Sequence, residues 1–253
     1  MAHSVERFSS RVENYVLYRP GYPTEILELL KSEFGLTNSS VVADVGSGTG
    51  KLSEVFLQNG NVVIGIEPNV AMRNAAESLL LHQSRFESIN GTAEATTLPD
   101  SSVDFVVAGQ AFHWFDPVAT RTEWQRILRP KGWVVLIWNE RQVDTTPFLR
   151  DYEALLIKYS IDYPVVRHEN ATERINTFFA PTTPRTACFP NNQVFDFEAL
   201  KGRLLSSSYT PEPGHPNFES MLECLKEVFK THEAAGRVAF LYDTRVFFGK
   251  IAE

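Results

Sequence analysis

The densest chemical signal in the chain is VVADVGSGTG, residues 41–50, where an apolar, β-branched run bearing Asp44 enters Gly46, Gly48 and Gly50 just ahead of helical spacing from Leu52. Three glycines in five residues let backbone approach a ligand closely and adopt conformations closed to other residues. A plain strand-to-helix turn accounts for one glycine, not three. Two phosphate-binding patterns fail on spacing. The loop GxxxxGK[ST] needs one more residue before its glycine-lysine pair, and Leu52 stands where a magnesium-binding hydroxyl belongs. The dinucleotide fingerprint GxGxxG needs a glycine at Lys51. Glu67 closes a second apolar run in IGIEPN, where its carboxylate can accept from two adjacent ribose hydroxyls; a solvated strand end is the bland alternative. A third segment, GTAEATTLPD, offers Thr92, Ala93 and Glu94 to an adenine edge through a backbone amide and a side chain.

The elements that must position these residues follow from apolar periodicity. Ile26, Leu27, Leu30 and Phe34 have helical spacing between Thr24 as N-cap and Gly35 as stop. Short strands are expected at Val41–Val45, Val62–Ile66, Phe86–Ile89, Val103–Ala108 and Trp133–Trp138. Between them, helices are expected at Leu52–Asn59, Asn69–Leu81 (with Met72, Ala75, Ala76, Leu79 and Leu80 as its apolar stripe) and Val118–Leu128. Strands alternating with helices imply right-handed crossovers, so the fold class is α/β: a Rossmann-like, doubly wound sheet of mostly parallel strands. Residues 1–139 form an N-terminal lid segment and the core of this sheet, and 140–236, with a proline-rich stretch from Pro164 to Pro190, read as a helical cap insertion. Residues 237–253 alternate apolar and polar and are expected to complete the sheet with an antiparallel edge.

Composition narrows the function. The chain has 253 residues, 43% hydrophobic, and 31 acidic against 24 basic side chains for a net charge of −7, which suits a globular protein and disfavours general nucleic-acid binding. The start resembles no signal peptide and no run is long enough to span a membrane, so a cytosolic location is expected. Cys188 and Cys224 form no CxxC pattern and the six histidines lack ligand spacing, so neither a disulfide framework nor a metal site is expected.

Taken together, VVADVGSGTG, GIEPN, GTAEATTLPDSSVD and RPKGWVVLIW resemble, in order and spacing, the motifs of class I S-adenosylmethionine-dependent methyltransferases. Within that superfamily, YRPGYP and AFHWFD resemble the trans-aconitate and ubiquinone-biosynthesis type of small-molecule methyltransferases. The resemblance implies S-adenosylmethionine as cofactor, with Asp44, Gly46, Ser47, Gly48 and Gly50 bordering its methionine part and Glu67 holding the ribose. It further implies that Pro68 and Met72 line the adenine and Ala93 binds its edge. Thr92 stands where many relatives carry an aspartate, leaving Glu94 as the substitute acceptor. Gln110 would approach the amino-acid end, with Arg19 or a neighbouring tyrosine on its carboxylate.

The acceptor is expected to be a small molecule bearing a carboxylate or hydroxyl, handled by a monomer or homodimer without membrane or general nucleic-acid partners. His113, after the fourth strand, is the candidate general base, with packing beneath the cap as the alternative. Tyr15, Tyr18, Tyr22 and Trp114 are candidates for an aromatic lid, or for core. Of Arg19, Arg141 and Arg150, candidates for an acidic acceptor, Arg141 has the best position after the fifth strand. A catalytically silent relative that senses the cofactor or scaffolds a partner is the competing reading, and a nicotinamide oxidoreductase is a third, weakened by the missing glycine at Lys51.

Overall fold

The computed structural model describes residues 12–161, 163 and 171–251. The first part of the expected lid segment (1–11), residues 162 and 164–170, and residues 252–253 lie outside the described residues. The strands are β1 (Val41–Val45), β2 (Val62–Ile66), β3 (Phe86–Ile89), β4 (Val103–Gly109), β5 (Leu128–Arg141), β6 (Arg185–Phe195) and β7 (Val238–Gly249). They form one sheet in the order β3-β2-β1-β4-β5-β7-β6, parallel from β3 to β5 and antiparallel where β7 pairs with β5 and with β6. The helices are α1 (Val12–Tyr18), α2 (Glu25–Phe34), α3 (Lys51–Gln58), α4 (Val70–Leu79), α5 (Pro117–Ile127), α6 (Pro147–Tyr159), α7 (Ala171–Phe179), α8 (Phe197–Leu205) and α9 (Phe218–His232), with a 3₁₀ turn at Phe112–Trp114.

The parallel strands read as continuous apolar runs because both of their faces are covered. Ala43, Ile66, Val106, Ala108, Val134 and Leu136 pack into one core, and their neighbours Val42, Val63, Phe105, Val107, Val135 and Ile137 pack into the other. This is the period-two alternation of a strand buried from two sides. A third core joins α6, α8 and α9 to β7 through Tyr152, Leu200, Leu204, Met221, Leu225 and Phe240.

Three elements depart from expectation. The stretch 140–236 contains a sheet strand as well as helices: β6 pairs with β7 along its whole length, from Arg185 opposite Phe248 to Phe195 opposite Val238. Pro190 is tolerated there because β6 is an edge strand. The fifth strand is longer than Trp133–Trp138, starting at Leu128 with a register shift between Val103 and Phe105 on its neighbour. Leu79, expected on the buried stripe of α4, is exposed, while Met72 and Ala76 are buried.

The chain moves outward from β1 through β2 to β3 and then returns to the other side of β1 with β4. Two carboxyl ends therefore diverge between β1 and β4, and ligands of open α/β sheets bind in the crevice outside such a switch point.

Candidate active site

The glycine loop bridges β1 and α3 at that crevice. The Gly46 and Ser47 amides both donate to the Ile66 carbonyl, at 2.8 and 3.2 Å, and the Gly50 amide donates to the Ser47 carbonyl at 2.9 Å. Gly46, Gly48 and Gly50 have φ of 70°, 56° and 82°, in the region that favours glycine. A Cβ at Gly46 would meet Ala111 Cβ at 2.6 Å, whereas a Cβ at Gly48 would meet nothing within 4 Å. Gly46 thus serves protein packing, and Gly48 leaves open a space facing the crevice.

Two carboxylates flank the loop. Asp44, fully buried at the end of β1, accepts from the Ser53 hydroxyl at 2.7 Å through Oδ2, while its buried Oδ1 has no partner among the described residues. Burial pushes its pKa up to about 7, the Ser53 hydrogen bonds opposing. Glu67 accepts from the Asn69 amide at 2.8 Å and from the Gly48 amide at 3.0 Å. Burial raises its pKa too, and those two hydrogen bonds restrain the shift. Its carboxylate holds the tip of the glycine loop to the start of α4, where the Asn69 side chain caps the Ala71 and Met72 amides.

The segment RPGYP is pinned across the strand ends by its backbone. Asn139 on β5 and Asn191 on β6 each donate from Nδ2 to the Gly21 carbonyl, both at 3.0 Å, and Asn139 Oδ1 accepts from Thr244 at 2.5 Å. Tyr22 is thereby laid against Gly109, where a Cβ would meet the phenol oxygen at 2.3 Å. Burial raises the Tyr22 pKa well above its ordinary value, keeping the phenol neutral. Arg19 donates to the Ser206 carbonyl at 3.0 Å.

These residues border two adjoining cavities. The smaller, about 130 Å³, is lined by Glu67, Pro68, Met72, Trp114 and Phe115, among others. The larger, about 450 Å³, takes in Asp44, Ser47, Arg19, Tyr22 and Arg141. Tyr15, Gly46, Gly48, Gly109 and Gln110 line both. Gln110, at φ 55°, donates from its side chain to the Asn139 carbonyl at 2.9 Å.

Other expected residues lie elsewhere. Thr92, Ala93 and Glu94 line neither cavity, and Glu94 accepts from the Asp116 amide at 2.8 Å, bracing the start of α5. Gly50 packs beneath Leu80. The Tyr18 ring lies against Gly202 of α8, away from both linings, because α1 and α8 pack closely there. His113 lines neither cavity; its ring centroid is 4.6 Å from that of Trp114, which leaves the base role without geometric support. Arg141 reaches the larger cavity but is paired with Glu153 and donates to the Tyr163 hydroxyl at 3.0 Å.

Sequence reasoning missed Arg203, Arg245, Tyr163 and Tyr209, all of which line the larger cavity. Arg203 had a signal: it occupies the same helical face as Leu200 and Leu204, both fully buried. Among the described residues, no cluster of three or more His, Cys, Asp or Glu could hold a metal, and no helix is long and apolar enough to cross a membrane.

The profile of a methyltransferase domain matches residues 43–136, the segment from β1 to β5 that carries the glycine loop and Glu67. An uncharacterized methyltransferase of Schizosaccharomyces pombe is 30% identical over 228 residues, covering 88% of this chain and 87% of that protein. An uncharacterized methyltransferase of Mycobacterium bovis is 37% identical over 134 residues, 53% of this chain and 52% of its own length. Among solved structures, a protein of Anaeromyxobacter dehalogenans provisionally assigned as a type II methyltransferase shares the fold, with TM-score 0.68 and 20% identity, over 92% of this chain and 98% of its own. A SAM-dependent methyltransferase of Aquifex aeolicus shares it with TM-score 0.52 and 16% identity, over 94% and 97%. The chain belongs to the class I S-adenosylmethionine-dependent methyltransferases.

Proposed function

We propose that the protein methylates a small-molecule acceptor held in the larger cavity, with the cofactor lying across the glycine loop. The observation that carries this reading is the cavity of about 450 Å³ that runs from the glycine loop at Ser47 and Gly48 to Arg141, Tyr163 and Arg203, and so extends past the residues assigned to the cofactor toward a wall that a metabolite could occupy. The cleft fits the cofactor on three counts. Asp44 Oδ1 is a buried acceptor in want of a donor, which an ammonium group supplies. The space beside Gly48 admits a ligand where any other residue would carry a Cβ. Glu67, Pro68 and Met72 offer a carboxylate next to an apolar wall, which suits a ribose and a base.

S-adenosylmethionine supplies an electrophilic methyl on a sulfonium, with a neutral thioether as leaving group. The protein's work is then to bind, orient and exclude water, which is worth on the order of 7 to 11 kcal/mol for well-oriented reactants. Asp44 and Arg19 hold the two charged ends of the cofactor's amino acid, and Glu67 holds the ribose. Tyr15, which borders both cavities, and Tyr22, held neutral, shield the meeting point. Within residues 1–139 the glycine loop and its surroundings hold the cofactor, helices within 140–236 supply the acceptor side, and β6 with β7 completes the sheet.

Purified protein incubated with methyl-labelled S-adenosylmethionine and cell extract should place label in the small-molecule fraction when products are separated by size. Label confined to protein or RNA overturns this acceptor class.

A further inference from the structure

The larger cavity is unusually basic for a chain of net charge −7: Arg19, Lys51, Arg141, Arg203 and Arg245 line it against Asp44 and Glu140. Most of this charge already has a partner or a role. Arg141 is paired with Glu153, and Arg245 lies 3.3 Å from Glu140. Arg19, bound to the Ser206 carbonyl, is assigned above to the cofactor. Arg203 differs. Only 6% exposed, it donates to two neutral hydroxyls, Tyr242 at 3.3 Å and Ser207 at 3.1 Å, and stacks over the Phe240 ring at 5.8 Å. No carboxylate of a described residue lies within ion-pair distance of it.

Tyr242, Tyr209 and Tyr152 act on Arg203 electrostatically, as does Arg19, whose pKa is lowered by burial and then by the Arg203 charge itself. Burial penalises the Arg203 charge, but the surrounding tyrosines and the hydrogen bond to Tyr242 outweigh that penalty and raise its pKa, so the guanidinium stays charged although no carboxylate neutralises it. A buried positive charge with no carboxylate partner, on the wall of a cavity, suits an anion that arrives from outside. We propose that Arg203 is the anchor for the acceptor, and that the acceptor is a small carboxylic acid whose carboxylate docks on the Arg203 guanidinium. A planar two-oxygen anion matches the guanidinium fork, and Tyr209 lines the same cavity.

This inference rests on the proposed function, and calorimetry separates their failures. S-adenosylhomocysteine is titrated first into wild type and the variant R203Q; succinate, glutarate, citrate, the neutral diamide of succinate and inorganic phosphate are then titrated into each saturated protein. The expected result is that at least one acid binds wild type and the diamide does not. R203Q should weaken that acid by at least about tenfold, and by clearly more than it changes S-adenosylhomocysteine affinity. The inference is overturned if no acid binds, if phosphate binds in preference to every acid, if R203Q binds the acid like wild type, or if R203Q loses S-adenosylhomocysteine instead. Should R203Q fail to fold, R203K, which keeps the charge and loses the fork, is read in the same way: weakened acid binding supports the anchor and wild-type affinity overturns it. Failure of wild type to bind S-adenosylhomocysteine at all counts against the proposed function rather than against Arg203.

Discussion

A Cβ built on Gly46 would meet Ala111 Cβ at 2.6 Å, and one on Gly50 would meet Leu80 Cδ1 at 2.7 Å, whereas one on Gly48 is free of contact. Substitutions in one loop should therefore separate stability from binding. Gly46→Ala is expected to lower stability through the clash with Ala111 and a left-handed backbone cost of about 1 to 2 kcal/mol. Gly48→Val is expected to pay the backbone cost alone, remain folded, and lose S-adenosylhomocysteine binding; thermal denaturation and calorimetry on both variants check this. Asp44 gives a pH signature. Its carboxyl titrates at about 7 in the fold and near 4 in the unfolded chain, so between those values the folded state keeps a proton that the unfolded state has released. Stability from this group is full at low pH, falls as pH rises from about 4 to 7, and is level above that. Cofactor binding calls for the ionised form, so S-adenosylhomocysteine affinity should rise between pH 6 and 8 with proton release, and Asp44→Asn should abolish both trends. At this scale the sequence revealed the carboxylates and glycines, because motif spacing carries them. Arg203 was harder to see: it sits in an ordinary amphipathic stretch, and its isolation from any carboxylate is a property of three elements meeting.

Elements with local punctuation were legible. Gly35, at φ 69°, stops α2 as expected, and Asn69 caps α4 with bonds of 2.9 and 3.1 Å to Ala71 and Met72. Asp116 caps α5 in the same way, accepting from the Val118 and Ala119 amides at 2.9 and 3.0 Å. Asp116→Ala should cost about 1 kcal/mol of stability, read by denaturant unfolding, with S-adenosylhomocysteine affinity retained because Asp116 lines neither cavity. The strand β6 was not legible. Its exposure does alternate along RTACFPNNQVF, yet PNN at its centre reads locally as a turn, and only pairing with β7, Pro190 opposite Asp243 and Asn192 opposite Leu241, overrides it. Thr92, Ala93 and Glu94, expected beside an adenine, line neither cavity, and Glu94 accepts from the Asp116 amide.

Over the whole molecule, the site joins parts with unequal support. The sheet ends that carry Asp44, Glu67 and Gln110 grow out of two apolar cores, while α1, which brings Tyr15 and leads to Arg19, has no buried residue of its own. It is held by α8, through the Tyr18 ring on Gly202 and the Arg19 bond to Ser206. Ligand that bridges sheet and α1 should stabilise both. At about 100 times its Kd, S-adenosylhomocysteine should add about 2.7 kcal/mol of stability, and hydrogen exchange should show the α1 amides gaining protection more than those of β1.

The place of β7 has a consequence for how the protein is made. It is the strand that joins β5 to β6, yet it follows both in the chain. While synthesis proceeds, the first five strands can pair on their own, but β5 keeps a bare edge and β6 has nothing to pair with until residues 238–249 leave the ribosome. For the time needed to translate more than forty residues, the nascent chain carries two unpaired strand edges, both able to capture another chain. A translational stall between α9 and β7 would therefore leave a product that aggregates although its glycine loop is already formed.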